Sequence, residues 1–220
     1  MAIAPLNKFR TIAVPVAPGV STVYTAPTGT SAIVLSATVA NVGIGTTYPK
    51  VTFTHQRKNL STRTKGNIIN NRVVKEIEIP PNDSLIIVEG KLVLERTALV
   101  EDSIVVSGIQ SGIVNISNVV YDNSTGLTTV TANGHGFLVG DEITMSGIAF
   151  TCSPGGNYGL TTTIYPKPQR GFTVDTVVDV NNFETNTGVV VGIAHTYVSG
   201  GQVGPLQMEL VMSILENSTS

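Results

Sequence analysis

Residues Gln207–Glu216, QMELVMSILE, place apolar side chains at every second position. The apolar set is Met208, Leu210, Met212 and Ile214, and the polar set is Gln207, Glu209 and Ser213. Alternation with a period of two is typical of a strand that has one face in a core. An apolar stripe like this must be buried against another part of the chain. The segment therefore predicts a β-strand that packs on a domain formed elsewhere in the sequence.

The first half of the chain supplies candidate partners for this strand. Short runs rich in Val, Ile and Thr alternate with turns such as Pro18-Gly19 and Pro80-Pro81-Asn82-Asp83. The candidate strands are Thr11–Ala17, Thr22–Thr25, Ala32–Val42, Lys50–Gln56, Arg72–Ile79, Ser84–Glu89, Lys91–Glu95 and Ser103–Ser107. Strands at this spacing indicate an all-β fold, an antiparallel β-sandwich that needs one more strand.

Glycines mark the two ends of the middle segment: Gly108 and Gly112 precede it, and Gly200, Gly201 and Gly204 follow it. Glycine at both seams favours hinges. We therefore predict a discontinuous β-sandwich of residues 1–111 plus 205–220, with a second small β domain, 112–204, inserted near its C-terminal strand. The alternative is two domains in sequence, in which Gln207–Glu216 is an edge strand of the second.

The middle segment is rich in turns. Asn123–Gly126 would join Ile116–Tyr121 to Leu127–Ala132 as a hairpin, and Asn133–Gly136 would form a further turn. Two more runs, Glu142–Met145 and Thr173–Val178, have strand composition.

Composition excludes several classes of protein. The net charge is −2, so nothing draws the chain as a whole to nucleic acid or to an anionic membrane. No stretch approaches the ~20 apolar residues of a membrane helix, and Lys8 and Arg10 interrupt any signal-like N-terminus. The single cysteine, Cys152, excludes an intramolecular disulfide. We expect synthesis in a host cytoplasm and a reduced thiol.

The residues that could carry chemistry are scattered. His55, His135 and His195 have no metal-ligand spacing, and Cys152 has no cysteine partner, so we predict a free thiol without metal. The acidic pairs Glu101-Asp102 and Asp141-Glu142 hold adjacent residues, which point to opposite faces of a strand, so both read as solvated turn charges. No phosphate-binding loop or nucleophile elbow occurs. We therefore expect no enzyme activity, no cofactor and no small-molecule substrate.

Positive charge is concentrated between Gln56 and Glu76. Six of the 13 basic residues lie there: Arg57, Lys58, Arg63, Lys65, Arg72 and Lys75. No aromatic residue lies among them, so stacking on nucleic acid is not expected. One interpretation is a long solvated hairpin loop. The other is an arm that orders against a neighbouring chain, with Arg57, Lys58, Arg63 and Lys65 as the protein interface.

Two sets of segments resemble known phage proteins. The first set is Val23–Val42, Val51–Phe53, Ile79–Leu85, Leu92–Glu95, Asp102–Ile104 and Val211–Glu216. In this order it resembles a small β-sandwich of minor structural proteins of tailed bacteriophages. In compact versions of that sandwich the last strand directly follows the Asp-Ser-Ile segment, which agrees with an insertion here.

The second set is Thr131–Phe137, Val139–Ile148, Phe172–Val174 and Ala194–Gly201. It is similar to a module repeated across virion proteins of phages that infect cyanobacteria. Together the resemblances imply a virion structural protein associated with the tail, baseplate or neck, whose partners are other virion proteins and copies of itself. The alternatives are a capsid decoration protein and a receptor- or glycan-binding module. Exposed aromatic clusters on the inserted domain would favour that module.

Overall fold

The structure is a computed structural model that describes residues 6–61, 66–154, 161–165, 170–190 and 193–218. Every regular element in these ranges is a strand. The described ranges contain no helix long and apolar enough to cross a membrane. The prediction of an all-β fold with antiparallel sheets is confirmed.

The chain divides into two compact units, which we call unit 1 and unit 2. Unit 1 comprises Met1–Val16, Val20–Ile109 and Gln207–Ser220, and unit 2 comprises Ala17–Gly19 and Gln110–Leu206. The expected domain bounds at 112 and 204, and the folding of each part as a domain of its own, stay predictions.

Unit 1 contains eight described strands in two four-stranded sheets. One sheet has the order β1-β18-β3-β6 and the other has the order β2-β7-β4-β5. The strands are β1 (Leu6–Pro15), β2 (Gly19–Thr25), β3 (Thr30–Asn41), β4 (Lys50–Asn59), β5 (Ile68–Glu78), β6 (Ser84–Glu95), β7 (Val100–Ile109) and, last in the chain, β18 (Met208–Ser218).

The C-terminal strand β18 lies inside the first sheet, antiparallel to β1 on one side and to β3 on the other. Its alternation explains this position, because the side chains of the alternating set Met208, Leu210, Met212 and Ile214 are fully buried. They share one core with Phe53 of β4 and with Ile104 and Val106 of β7, which belong to the second sheet. Two sheets that enclose one core form a sandwich.

Two strand predictions in unit 1 need correction. Ser84–Glu89 and Lys91–Glu95 are one strand, β6, in which Gly90 has a φ of +131° and the register with β3 shifts nearby. Glycine adopts this φ without strain, so the strand continues through a residue that resembles a turn in the sequence.

Unit 2 contains ten described strands. β8 (Val114–Tyr121) and β9 (Leu127–Ala132) form the expected hairpin. The others are β10 (Glu142–Ser146), β11 (Ile148–Pro154), β12 (Thr161–Tyr165), β13 (Gly171–Thr173), β14 (Thr176–Val177), β15 (Asn182–Asn186), β16 (Ile193–Ser199) and β17 (Gln202–Pro205). The main path of the sheet is β12-β11-β16-β8-β17-β10-β13. Its core is separate from that of unit 1 and includes Val130, Ile143, Val174, Phe183 and Val203.

The glycines expected to act as hinges after residue 199 have local structural roles. Gly200 and Gly201, with φ of +73° and +104°, form the turn between β16 and β17, and Gly204 lies within β17. A Cβ on Gly201 would lie 2.8 Å from Ile148 Cγ1, so close packing also requires glycine there. These glycines therefore have turn and packing roles within unit 2, and their interpretation as an interdomain hinge stays a prediction.

Candidate functional site

The predicted basic arm is shorter in the structure than in the sequence analysis. β4 runs to Asn59 and β5 starts at Ile68, so half of the segment from Gln56 to Asn71 is strand. The strand pattern was missed because these residues are mostly polar and are not fully buried, so no apolar alternation marks them. Gln56 Nε2 donates to Asn70 Oδ1 at 2.9 Å, a polar cross-strand pair.

Arg57 is bound within its own unit. Its Nε and Nη2 donate to the two carboxylate oxygens of Asp102 at 2.7 and 2.6 Å. Asp102 is completely buried, accepts a further hydrogen bond from the Glu95 amide at 3.0 Å, and has His55 Nε2 at 3.3 Å. Burial alone would raise the pKa of the Asp102 carboxyl, but these partners outweigh it and hold that pKa below its usual value. Asp102 is therefore a buried carboxylate that accepts hydrogen bonds from two other strands, and its interpretation as a solvated turn charge is wrong.

The four predicted interface residues thus have different positions. Lys58 lies on β4 with its Nζ 4.0 Å from Glu101 Oε1, and Arg57 pairs with Asp102. Arg63 and Lys65 lie outside the described residues. The interface itself stays a prediction.

Unit 2 contains a cavity of about 370 Å³ that the sequence did not predict. Its walls are mainly apolar, with four aromatic rings contributed by Tyr121, Phe150, Tyr165 and Phe172. The exposed Val189 and Val190 also line it, so the cavity reaches the surface of the unit. Concave, largely apolar sites with a few polar groups are the usual form of small-ligand sites.

Strand pairing explains why these rings converge. β11 pairs with β12 on one side and with β16 on the other. Phe150 and Cys152 are two residues apart on β11 and so share a face of the sheet. Directly opposite Cys152 on β16 is His195, whose ring makes edge contacts with Phe150, Tyr165 and Tyr121 at centroid distances of 6.0, 5.4 and 5.2 Å.

The imidazole of His195 lines the cavity, and one of its ring nitrogens contacts a buried thiol. Its Nδ1 lies 2.9 Å from Cys152 Sγ, which in turn lies 3.7 Å from the Tyr165 hydroxyl. Burial lowers the pKa of His195, so the ring is neutral near pH 7. Burial and the Cys152 contact raise the pKa of Tyr165, which keeps its hydroxyl protonated. Cys152 is buried and does not line the cavity, so its thiol orients the imidazole.

The cavity also has a cation at its edge. The Arg170 guanidinium lies 4.9 Å from the centroid of the Phe172 ring, and its Nη2 donates to the Thr187 carbonyl. The hydroxyls of Thr128 and Thr187, which also line the cavity, lie 2.6 Å apart. None of the residues that line the described cavity is acidic.

Comparison with known proteins gives no relative of this chain. No family model and no curated protein matches the sequence. Among solved structures, that of infectious bursal disease virus Gx strain is similar to this chain at 8% sequence identity and a TM-score of 0.30. The alignment covers 99% of this chain and 43% of the viral chain. For the structure of the Gt strain of the same virus, the alignment covers 97% of this chain and 42% of the viral chain, at 11% identity and a TM-score of 0.29.

A third solved structure is the stem and receptor binding domain of the spike protein P1 from bacteriophage PM2. The alignment covers 96% of this chain and 97% of the phage chain, at 8% identity and a TM-score of 0.21. The chain spans less than half of the first two structures that it matches. Likeness at these scores carries no argument about fold or function.

The distribution of aromatic residues along the sequence is a signal that could have indicated the cavity. Eight of the 12 Phe and Tyr residues lie between 110 and 206, within unit 2. The cysteine–histidine contact joins residues 43 positions apart, so no spacing rule reveals it. His135, interpreted as a turn residue, directly follows the turn residues Asn133 and Gly134. It is buried against Phe137 and Phe183 and accepts a hydrogen bond from the Phe137 amide.

Proposed function

We propose that this chain is a structural protein of a tailed-phage virion, associated with the tail, baseplate or neck, that packs against other virion proteins and against copies of itself. The sequence resemblance indicates the class of particle. The observation that carries the packing role is the outer face of the unit 1 sheet β1-β18-β3-β6, the side that points away from the core.

A row of four apolar residues crosses this outer face in register. Phe9 lies opposite Leu215, Leu215 opposite Ile33, and Ile33 opposite Val93. Phe9 is 72% exposed and Val93 is 48% exposed. Directly opposed side chains on one face lie in contact distance, so the row forms a continuous apolar band.

A second row supports the same interpretation. Ala13, Val211, Thr38 and Ile86 lie opposite one another in that order, with Val211 and Ile86 exposed. Between the two rows, β1, β18 and β3 present Thr11, Ser213 and Ser36, which are uncharged. On β6 this middle row continues with the charged, exposed Glu89. Two apolar rows separated by mostly uncharged residues are typical of a surface that another protein covers.

The test replaces Phe9, Val93 and Val211 together with serine. These side chains are exposed in the isolated chain, so the variant is expected to keep the wild-type fold, within about 0.5 kcal/mol per substitution. Its incorporation into particles should fall strongly, because the apolar contact area with the neighbour is lost. Incorporation is measured by mass spectrometry of purified particles, and folding by circular dichroism and thermal melting.

Val20→Ser is the matched control, because Val20 is 78% exposed but lies on β2, in the other sheet. It should be incorporated at the wild-type level. If the triple variant folds and enters particles as well as this control does, the outer face is not an interface and the packing proposal fails.

A second candidate function is a receptor- or glycan-binding module. The aromatic-lined cavity of unit 2 favours it, since aromatic clusters on this part of the chain are the feature that a sugar site requires.

The proposal in either form is of a protein without catalytic activity. Cys152 and His195 have the spacing of a nucleophile and a base, but the thiol does not line the cavity, so a bound molecule would meet the imidazole first. No acidic residue lines the described cavity, so the two converging carboxylates of a glycan hydrolase have no counterpart there.

A further inference from the structure

We infer that the cavity of unit 2 binds an acidic pyranose, a six-membered sugar ring that carries a carboxylate. The inference rests on the glycan-binding candidate above and names its ligand. Four features of the cavity support it: its size, its aromatic walls, the Arg170 cation at its edge and the polar atoms that remain available.

The size of the cavity fits one sugar ring with its substituents. Its volume of about 370 Å³ lies at the lower end of the range for small-ligand sites, ~300–1,000 Å³. Because Val189 and Val190 are exposed and line it, a terminal sugar of a longer glycan could enter while the rest of the glycan stays in solvent.

The aromatic walls suit the apolar face of a pyranose. Phe150 and Tyr165 are perpendicular neighbours, with an interplanar angle of 76° and centroids 5.7 Å apart, so they form a corner and not a flat stack. The faces of aromatic rings carry partial negative charge, and the C–H groups on one side of a pyranose carry partial positive charge. A ring with both C–H and hydroxyl faces therefore fits a corner that has aromatic walls and nearby polar atoms.

Charge selects an acidic sugar over a neutral one. Unit 2 carries six Asp and Glu residues against two basic residues, and Arg170 is the only basic residue in its described part. None of the described residues that line the cavity is acidic, so the charge beside it is positive although the unit as a whole is acidic. The guanidinium has five N–H donors, and the Thr187 carbonyl accepts from one nitrogen, so donors remain for a carboxylate.

Polar atoms are available for the ring hydroxyls. Because His195 Nδ1 faces Cys152 Sγ, the other ring nitrogen, Nε2, is left for a ligand, and it has no hydrogen-bond partner among the described residues. The Tyr165 hydroxyl and the Thr128–Thr187 hydroxyl pair are further donors and acceptors in the same walls.

The test uses the full chain and three probes in NMR titrations. D-glucuronate has both the ring hydroxyls and the carboxylate, D-glucose lacks the carboxylate, and cyclohexanecarboxylate lacks the hydroxyls. Glucuronate should bind saturably with a Kd on the order of 1 mM, as expected for a ligand of its size. Glucose and cyclohexanecarboxylate should each bind about tenfold more weakly, because each loses one set of hydrogen bonds.

Two variants test the site. Arg170→Gln should weaken glucuronate binding about tenfold and leave glucose binding unchanged. Val189→Glu places a carboxylate at the cavity edge on an exposed side chain, so the fold is retained while glucuronate binding is lost by repulsion. Lys91→Gln, which removes an exposed cation from unit 1, is the matched control and should bind glucuronate as the wild type does.

Three results would overturn the inference. They are no saturable glucuronate binding to the wild type at about fifty times the expected Kd, equal affinity of the wild type and Arg170→Gln, or cyclohexanecarboxylate binding as tightly as glucuronate. The outcome is independent of the packing proposal, because Arg170→Gln should enter particles at the wild-type level whether or not sugar binds.

Discussion

At the scale of single residues, the buried carboxylate of Asp102 is the centre of a polar cluster within unit 1. A buried charge is tolerated only when it is paired and hydrogen-bonded, and Asp102 has Arg57, His55 and the Glu95 amide around it. Three of the described strands, β4, β6 and β7, contribute to this cluster. Arg57 therefore has a structural role whether or not it also contacts a partner.

We expect Arg57→Ala to reduce the free energy of unfolding by about 2–4 kcal/mol, because it leaves the Asp102 carboxylate buried without its main partner. Urea denaturation at pH 7 measures this change. Lys75→Ala is the control, since among the described residues Lys75 forms an ion pair only with the neighbouring, exposed Glu76, and the loss should be below about 0.5 kcal/mol. Equal losses in the two variants would contradict the assigned role of Asp102.

The same cluster gives a pH dependence with a definite sign. The pKa of Asp102 is lower in the folded chain than its reference value of 3.8, so the folded state favours the charged form. The resulting stability is present above pH 3.8 and is lost as the pH falls below it. Arg57→Ala removes one of the partners that lower the pKa of Asp102, while the burial that raises this pKa remains. Denaturation between pH 4 and pH 2, roughly the range of this titration, should therefore be less steep in the variant than in the wild type.

At the scale of elements, sequence patterns located the strands that have one buried face. The alternating strand β18 and the turn before β6, where Asp83 N donates to the Pro80 carbonyl at 3.2 Å, follow directly from apolar periodicity and turn chemistry. Strands β12, β15 and β17 were missed because TTTIY, NFETN and QVGP lack an alternating apolar pattern. Their pairing with neighbours decides their structure.

The candidate site was less predictable than the fold for a related reason. Its walls come from strands β8 to β13 and β16 and from residues 170 and 187–190 between strands. These parts of the chain meet through strand pairing and not through closeness in sequence. The sequence shows that aromatic residues are concentrated in unit 2, but the register that sets His195 opposite Cys152 is a property of the folded sheet.

A basic interface with a neighbouring chain is predicted for residues 57–65, at the end of β4 and directly after it. Lys58→Ser, Arg63→Ser and Lys65→Ser together should lower incorporation into particles without changing thermal stability, because Arg57 and its pair with Asp102 remain. Each exposed ion pair adds only ~0.2–1 kcal/mol, so the effect depends on repetition by symmetry in the particle. Incorporation is compared with that of Lys8→Ser, Lys50→Ser and Lys91→Ser, which removes the same charge from elsewhere in unit 1. Wild-type incorporation of both triple variants would show that Lys58, Arg63 and Lys65 do not form the predicted interface.

At the scale of the whole molecule, unit 1 should fold without unit 2. Every buried residue of the unit 1 core lies outside residues 110–206, so excision removes none of them. The gap to be closed is the one between Ile109, at the end of β7, and Met208, at the start of β18. Ile109 lies opposite Lys50, and Met208 lies opposite Asn41.

That register fixes the length of the linker, because residues 42–49 already join Asn41 to Lys50 across the same gap. A Gly/Ser linker of about eight to ten residues in place of 110–206 is therefore long enough to connect Ile109 to Gln207, the residue before Met208, without strain. The shortened chain should unfold cooperatively in urea and show strand signals in circular dichroism, because β18 can still pair with β1 and β3. A matched chain that also ends before Met208 should fail to fold, since it lacks the four fully buried side chains of β18. If the shortened chain is unfolded while the full chain is stable, unit 1 depends on unit 2, and the prediction of a sandwich with an inserted domain is wrong.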